Sequence, residues 1–561
     1  FRTKTRLSPS GAFLMQDGKQ RFFQIAILFS LAMLAWLALT PSLSAETILG
    51  RYSLARFIVM IGFCLFILLL VLGLVFSRSK GFSNTFEKIL GAKVTFLVSL
   101  AVASLMLLLI AGSLLNLFQG LNTLVLRFIP LPLLAFLLCL EILIYQEIAS
   151  RGELRKSIKF LRVEELSREQ KTAFLSLIIF IGFFTAVCFH YVQGVYKGLG
   201  YPHNTFLFEP WDRFNDFFNP LKGSFDRDPY NPERISFIGG YLPFGYCVSF
   251  LFSLVHPWQL SCGIFIVLFI VFLWQFIRKC LYDRQKIHIS EVINLLILTA
   301  LTYPVLFILD RTNFDIVVFI FIALFALYYQ KGKKTLAVIL LAIPIAMKGY
   351  PLVLLTIPLL EKRFKDIAIT GSLVVLLEAF SLAIFKDGLI VEFSKMMTSF
   401  GTAFSIAFDA GALIRFNSSL YTFLLFLWPS LSDTTWFSKV YFFTALLLFG
   451  GVAWTMFKQK FPFWKNLFLI TLIMILFPQS SGDYRLVMLF PPLMFFLTAE
   501  EHSKLDVLII FLSGLILIPK AYYIFYTDVN LGIVVNPLLL FSLLVFLLVT
   551  NFKKTNQLLK T

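Results

Sequence analysis

The sequence has few charged residues, since only 14% of its 561 residues are Asp, Glu, Lys or Arg. A soluble protein carries about 25%, and 59% of this chain is hydrophobic. The composition therefore excludes an ordinary cytosolic protein and a disordered chain, and it predicts a protein embedded in lipid. The formal net charge of +18 is then interpreted first as a signal of membrane orientation.

Motifs for metal binding and for a disulfide framework are also missing. None of the six cysteines belongs to a Cys-x-x-Cys pair, and all lie within or beside apolar stretches, so we interpret them as small core residues. The five histidines include no pair spaced four residues apart on a helix. This spacing argues against a zinc centre.

The chain instead contains long, continuous apolar runs. Lipid admits only helices or closed barrels, and the runs do not alternate at period two, so they predict helices. With ~20 residues per span, we expect an all-α polytopic fold of about sixteen transmembrane helices. The expected spans lie near residues 22–42, 57–76, 94–118, 123–147, 171–194, 259–278, 289–309, 312–330, 335–349, 351–361, 366–385, 437–457, 464–478, 484–499, 505–526 and 532–550.

Clusters of Lys and Arg between these runs predict the orientation. Alternating spans place every cluster on the cytoplasmic side, together with both termini. This works only if the apolar stretches 241–255 and 419–430 do not cross but lie at the outer surface as interfacial or re-entrant helices. Two outward-facing loops, 195–258 and 386–436, then carry these helices, and loops of this length are usually functional.

A basic connector at residues 148–171 divides the chain. We expect residues 1–150 to form an N-terminal membrane module of four helices. Residues 151–561 would form a second membrane domain that carries both outer loops. The sequence assigns no purpose to the N-terminal module.

The first outer loop holds several carboxylates among aromatic and basic residues. If WDRFNDFF is helical, Asp212 and Asp216 lie on one face, four residues apart. Such carboxylates can act as a general base, bind a metal ion or simply be solvated, and from the residues alone solvation is the simpler interpretation. The aromatic neighbours of Asp216 suit a sugar, and Tyr241 and Pro243 open the surface helix that follows.

Cations are expected to reach the same leaflet. Lys348 stands near the outward end of a predicted span, where a charge costs at least a few kcal/mol and is a functional candidate by default. The alternative is that Lys348 snorkels to the headgroups. DRTNFD at 310–315 and SSGDYR at 480–485 complete the outward polar set. Acids that converge with cations suit a phosphate-bearing lipid, because cations hold the phosphate while a carboxylate handles a proton.

At these residues the chain resembles the GT-C superfamily of membrane glycosyltransferases. More specifically, over roughly residues 171–550 it resembles glycosyltransferase family 87, of the polyprenyl-phosphate-mannose-dependent mannosyltransferase type. The family's ordered motifs are matched or approximated by Asp216, Asp228-Pro229-Tyr230, Tyr241-Leu242-Pro243, Asn313, KGYP at 348–351, NSSL at 417–420 and FPQSSGDYRL at 477–486. The late histidine of the family is replaced here by Asp483 or its neighbours.

This resemblance implies an inverting glycosyltransferase in which Asp216 is the catalytic base, while Lys348 and Arg485 bind the donor phosphate. The remaining substrate-binding residues would be Asp212, Tyr230, Tyr241, Asn313, Asp315, Tyr350, Asn417, Asp483 and Tyr484. The donor would be a polyprenyl-phosphate sugar, mannose or another hexose, and the acceptor a glycolipid or glycan. Neither a metal nor a cofactor is expected, although the sequence leaves open a divalent ion at the first-loop acids.

The resemblance places the enzyme in the cytoplasmic membrane with its site on the outer face. Two other functions stay open. A transporter or flippase of lipid-linked sugars would show inverted repeats and broken helices, whereas the polar residues here concentrate in two loops on one side. A polysaccharide polymerase or ligase that uses diphosphate-linked glycans would be expected to need more outward arginines. The excess basic charge indicates contact with anionic membrane lipids rather than nucleic acid.

Overall fold

The computed structural model describes residues 166–231, 241–282, 288–409, 416–428, 431, 435–502, 506–523, 530–550 and 553–554. The four predicted N-terminal spans, and with them the expected module 1–150, lie outside the described residues. In the described part, the only strands are the two-residue β1 (Glu501–His502) and β2 (Lys553–Lys554), which pair antiparallel. The rest of the regular structure is helical, so the prediction of an all-α protein is confirmed.

The described helices follow one another along the whole of this region. They are α1 (Arg168–Tyr191, continued by the π-helical turn Val192–Tyr196), α2 (Asn215–Phe225), α3 (Pro243–Ser253), α4 (Trp258–Leu281), α5 (Ile289–Ala300), α6 (Tyr303–Arg311), α7 (Asp315–Gln330), α8 (Lys334–Lys348), α9 (Thr356–Leu360), α10 (Phe364–Ile384), α11 (Gly388–Asp409), α12 (Leu420–Leu427), α13 (Thr435–Gln459), α14 (Phe463–Leu476), α15 (Phe490–Thr498), α16 (Asp506–Leu517) and α17 (Gly532–Val549). Short 3₁₀ helices occupy Pro210–Asp212, Tyr350–Leu355 and Asp483–Leu489.

Helices long and apolar enough to cross a membrane are fewer than predicted. Among the described residues there are five, namely α1, α4, α10, α13 and α17, or six if α5 and α6, which meet at 47°, form one bent span. The other predicted spans within the described region are shorter helices such as α14, whose 14 residues extend only about 20 Å. They are shorter than a ~30 Å hydrocarbon core, so the predicted count of sixteen is not confirmed.

The short helices pack inside the bundle rather than facing lipid. Every residue of α15 except its last is buried, and α14 is buried from Trp464 to its end except at Asn466. By contrast, α4, α10 and α13 expose large apolar side chains such as Val267, Phe380 and Leu447. Apolar exposure on this scale is typical of a surface that contacts lipid, and together with the spans it indicates a membrane protein.

The two outer loops contain helices of their own. The stretches 241–255 and 419–430 contain the short helices α3 (Pro243–Ser253) and α12 (Leu420–Leu427), neither of which is a candidate span. The loop 386–436 also contains α11, a helix of 22 residues that its mixed composition did not predict. The first loop holds α2 and lies across the end of α6, where the candidate site is built.

Candidate active site

Three site residues come from the break between α6 and α7. Thr312 ends α6 with a left-handed backbone, φ 48°, and the side-chain oxygen of Asn313 accepts a hydrogen bond of 2.9 Å from the backbone N–H of Asp315. Asp315 lies in the first turn of α7, where the helix dipole favours a negative charge. The break therefore presents Arg311, Asn313 and Asp315 within five positions of the chain.

Asp310 fastens the first outer loop to this break. One carboxylate oxygen accepts a bond of 3.0 Å from the N–H of Phe208, and the other lies 3.1 Å from Nε of Arg213. The backbone oxygen of Asp310 accepts a bond of 2.9 Å from the N–H of Phe214. These contacts hold the loop so that Asp216 falls in the first turn of α2.

The segment WDRFNDFF does not form one helix, so Asp212 and Asp216 do not share a helix face. A 3₁₀ turn ends at Asp212, Phe214 adopts a left-handed backbone (φ 61°), and α2 begins only at the next residue. Asp212 and Asp216 are nevertheless brought together, because the guanidinium of Arg311 bonds to both. Its Nη1 lies 2.6 Å from Oδ2 of Asp212, and its Nη2 donates to Oδ1 of Asp216.

We call Asp212, Asp216 and Arg311 the acid half of the site. The two carboxylate side chains are 35% and 22% exposed, whereas that of Arg311 is 11% exposed and lies 4.1 Å from the ring centre of Phe208. Since an ionised carboxylate has about four lone-pair sites, Asp216 can accept a further hydrogen bond from a substrate. The acid half is therefore a partly open carboxylate pair anchored on a largely buried cation.

Lys348 is positioned by a turn at the end of α8. The backbone of Gly349 has φ +66°, a conformation that glycine adopts without strain. The N–H of Leu242 bonds to the oxygen of Met347 at 3.1 Å, which holds the start of α3 against the end of α8. As a result the ring of Tyr241 lies 4.3 Å from Nζ of Lys348, a cation–π contact.

We call Asp315, Lys348 and Arg485 the cation half. The carboxylate of Asp315 is fully buried, with Oδ2 3.3 Å from Nζ of Lys348, and Oδ1 accepts a bond of 2.9 Å from the hydroxyl of Tyr350. Nε of Arg485 lies 3.9 Å from the same Oδ2, beyond hydrogen-bond distance, and has no hydrogen-bond partner among the described residues. Its guanidinium stacks 4.4 Å from the ring centre of Tyr350. This half can therefore offer a donor to an incoming anion.

Asn313 joins the two halves. Its Nδ2 donates to Oδ2 of Asp216 at 2.7 Å, while its Oδ1 accepts from Nζ of Lys348 at 3.1 Å and from the hydroxyl of Tyr241 at 3.2 Å. Burial, followed by the charges of Asp216 and Asp315, raises the pKa of Tyr241 well above its usual value. The phenol therefore remains a donor to Asn313 at neutral pH.

Two further predicted residues border this network without joining its ion pairs. Tyr484 presents its ring 5.7 Å from Nζ of Lys348. Tyr230 is buried, and its hydroxyl donates to the backbone oxygen of Tyr241 at 3.1 Å. Tyr230 thus supports Tyr241 from behind.

Asn417 and Asp483 lie in a separate buried cluster. Oδ1 of Asp483 accepts from Ser418 at 2.6 Å and Oδ2 accepts from Tyr303 at 2.9 Å. Oδ1 of Asn417 accepts from the N–H of Ser481 at 3.0 Å. These bonds join the chain before α12 to the segment that leads into Arg485, so they position the cation half rather than line it.

Arg311 is the site residue that sequence reasoning missed. It lies inside DRTNFD, a segment expected to reach the site, of which the sequence assigns only Asn313 and Asp315 to substrate binding. The signal in the sequence is the position of Arg311 between Asp310 and Asp315. An arginine at membrane depth is seldom left without a carboxylate partner. Its contact with two separate carboxylates of the first loop depends on the tertiary fold.

Fold and site together define a multi-helix membrane protein with a charged network at one end of its helices. Residues 237–478, a little under half of the chain, match the model of glycosyltransferase family 87. This match confirms the resemblance to glycosyltransferase family 87 over that range. The matched range contains Asn313 and Lys348, whereas Asp216 lies before it and Arg485 lies after it. No curated protein and no solved structure matched this chain.

Proposed function

We propose that the protein is an inverting glycosyltransferase that moves one hexose from a polyprenyl-phosphate donor to a glycolipid or glycan acceptor. The reaction takes place at the outer face of the cytoplasmic membrane. Mannose is the first candidate sugar, because the resembled family type uses it. The observation that carries the proposal is that Asn313 contacts a partly exposed carboxylate, Asp216, and a cation, Lys348, at the same time.

Asp216 accepts the proton in this scheme. The acceptor hydroxyl binds a free lone pair of the carboxylate, and its oxygen attacks the anomeric carbon of the sugar as the proton moves to Asp216. Arg311 and Asn313 donate one hydrogen bond to each carboxylate oxygen, which fixes the plane of the base. General-base catalysis of this kind typically contributes 10²–10⁴-fold to the rate.

The cation half receives the leaving group. The bond between the anomeric carbon and the phosphate oxygen breaks with its electron pair on the oxygen, so negative charge develops on the lipid phosphate. Nζ of Lys348 and Nε of Arg485 lie 3.3 and 3.9 Å from the same oxygen of the buried Asp315, so the two residues supply two cations against one carboxylate. Fixed donors aimed at developing charge are worth several kcal/mol.

The proposal is tested with purified protein, a panel of polyprenyl-phosphate sugars and extracted glycolipids, by following the release of polyprenyl phosphate by mass spectrometry. The wild-type protein should release it only when acceptor is present, and Asp216→Asn should lower kcat at least a hundredfold. Asp226→Asn, an exposed aspartate beyond the end of the same helix, is the matched control. Transfer that persists in Asp216→Asn, or uptake of intact donor without product, would overturn the proposal.

A further inference from the structure

Helix α11 begins where a candidate membrane span ends. The span α10 ends at Ile384 and α11 starts at Gly388, yet α11 is not among the candidate spans. A helix that leaves the end of a span without being a candidate span itself is suited to lie along the membrane surface if it exposes apolar side chains. The N–H of Lys386 bonds to the oxygen of Arg227 at 2.8 Å, which ties this turn to the first outer loop.

Helix α11 exposes large apolar side chains and turns a charged pair toward the protein. Its exposed side chains are mostly apolar, with Ile390 80%, Met397 57% and Phe393 50% exposed beside the small polar residues Ser394 and Thr398. Its inward face holds Glu392, which is fully buried, and Lys395. A helix at a water-exposed surface shows the opposite pattern, so the exposed face of α11 fits the acyl chains of the bilayer and continues the apolar exterior of α10.

The inward face is held by one lysine among three carboxylates. Nζ of Lys395 lies 2.8 Å from Oδ1 of Asp228 and 3.0 Å from Oε1 of Glu392, and it also donates to Asp387. We call these four residues the Lys395 clasp. The three acids are close enough to hold a metal ion, but the ammonium already lies among them.

The clasp is connected by direct contacts to the candidate base. Asp228 belongs to the turn that follows α2, the helix that carries Asp216. Two residues further on, the hydroxyl of Tyr230 donates to the backbone oxygen of Tyr241 at 3.1 Å. Tyr241 in turn donates to Asn313, which donates to Asp216. The position of α11 and the orientation of Asp216 are therefore set by one chain of contacts.

We propose that α11 is seated in the lipid surface and that Lys395 is a positioning residue that couples this helix to Asp216 through the Asp228 turn. The inference rests on the proposed function, because it assigns Asp216 as the reacting carboxylate. Small errors of position at a reacting centre can cost up to ~10²-fold in rate. A break in the clasp therefore affects the chemical step more than it affects donor binding at the cation half.

Kinetics of Lys395 variants test the coupling. Lys395→Met should lower kcat about tenfold, with the donor KM within about twofold of wild type. Lys395→Arg, which keeps the positive charge, should retain at least half of the wild-type kcat. Since Lys395→Met leaves buried carboxylates without a cation, Lys395→Met/Glu392→Gln is measured beside it, with the folded fraction of each checked by size-exclusion chromatography. An unchanged kcat in both Met variants, or an equal loss in Lys395→Arg, overturns the coupling.

A double-mutant cycle separates coupling from general destabilisation. Asp228→Asn alone should lower kcat, and adding Lys395→Met should lower it by clearly less than the product of the two single effects. Simple multiplication of the two effects would contradict a shared path. If Asp216→Asn retains transfer, the proposed function fails; if Asp216→Asn is inactive while kcat survives in the Lys395 variants, only this inference fails.

Lipid contact is tested by fluorescence. Ile390→Trp, reconstituted in vesicles with brominated acyl chains, should show additional quenching relative to the wild-type protein, whose eight tryptophans provide the matched background. The same Trp should be poorly quenched by aqueous iodide. Quenching by iodide but not by brominated lipid would place α11 in water and overturn the lipid part of the proposal.

Discussion

The two halves of the site differ in both charge balance and exposure. The acid half has two carboxylates against one cation and contains the most exposed ionisable side chain of the network, Asp212 at 35%. The cation half has two cations against one carboxylate, Asp315, which is fully buried. A partly exposed base, Asp216, is accessible to an acceptor hydroxyl, whereas a buried pair of cations suits a phosphate whose charge must be stabilised away from water.

The difference also explains why each half contains an ion of the opposite sign. Arg311 holds two carboxylates together that would otherwise repel each other, and Asp315 does the same for two cations. The side chain of Arg311 is less exposed than those of the two carboxylates it contacts. The side chain of Asp315 is likewise less exposed than those of Lys348 and Arg485. Charged groups in low dielectric are stable only when paired, so both halves can stay charged before substrate binds.

Removing the central cation should have the largest effect on this comparison. Lys348→Met should lower kcat about 10²–10³-fold, because an electrostatic donor aimed at the leaving phosphate is lost. Lys334→Met is the control, since Lys334 lies at the other end of the same helix and pairs at the surface with Glu361. A loss smaller than about threefold in Lys348→Met would mean that the cation half does not serve the chemical step.

Breaking the link between the halves should have an intermediate effect. Asn313→Leu removes the donor to Asp216 and the acceptor for Lys348 and Tyr241 at similar side-chain volume. We expect kcat to fall roughly 10–100-fold, about the sum of two or three hydrogen bonds of ~1 kcal/mol each. Single-turnover rates with bound donor provide the measurement. An unchanged rate would show that the halves act independently.

Tyr241→Phe should have a smaller effect, since it keeps the ring beside Lys348 and removes only the hydroxyl. The expected loss in kcat is about fivefold, equivalent to one net hydrogen bond. Because burial and nearby carboxylates raise the pKa of Tyr241 well above 10.0, its phenol does not titrate below pH 10. The pH–rate profiles of the two proteins should therefore have the same shape, and an alkaline limb present only in the wild type would contradict this role.

Metal removal should have the smallest effect. Arg311 already occupies the position between Asp212 and Asp216, and two cationic side chains are available for the phosphate. Transfer in excess EDTA should therefore remain within about twofold of the untreated rate. A loss restored by Mg²⁺ or Mn²⁺ would indicate that a divalent ion displaces Arg311 from the acid half.

Local sequence patterns predicted the positions of several long helices but not the contacts between distant segments. Continuous apolar runs predicted the positions of α1, α4 and α17, because a lipid-facing or buried helix must be apolar along its length. The bonds that create the acid half join residues about one hundred positions apart, and they require a left-handed backbone at Phe214. No local periodicity encodes such a pairing, which is why the sequence did not single out Arg311.

Helix α11 illustrates the same limit at the membrane surface. Its charged residues, Glu392 and Lys395, interrupt the apolar run, and the sequence predicted only that this segment belongs to the outward-facing loop 386–436. In the fold these charges turn inward to Asp228 and the apolar side chains face outward. Composition alone does not reveal which face of a helix meets lipid.

The central claim is that the acid half acts on the acceptor proton while the cation half binds the phosphate. The dissociation constant of polyprenyl phosphate, measured for the wild type, Asp216→Asn and Lys348→Met in the same detergent, tests this division most directly. We predict that Asp216→Asn binds it as tightly as the wild type within about twofold, whereas Lys348→Met binds it at least about tenfold more weakly, the loss of one charged contact of ~1.5–3 kcal/mol. Equal weakening in both variants, or weakening in Asp216→Asn alone, would contradict the account.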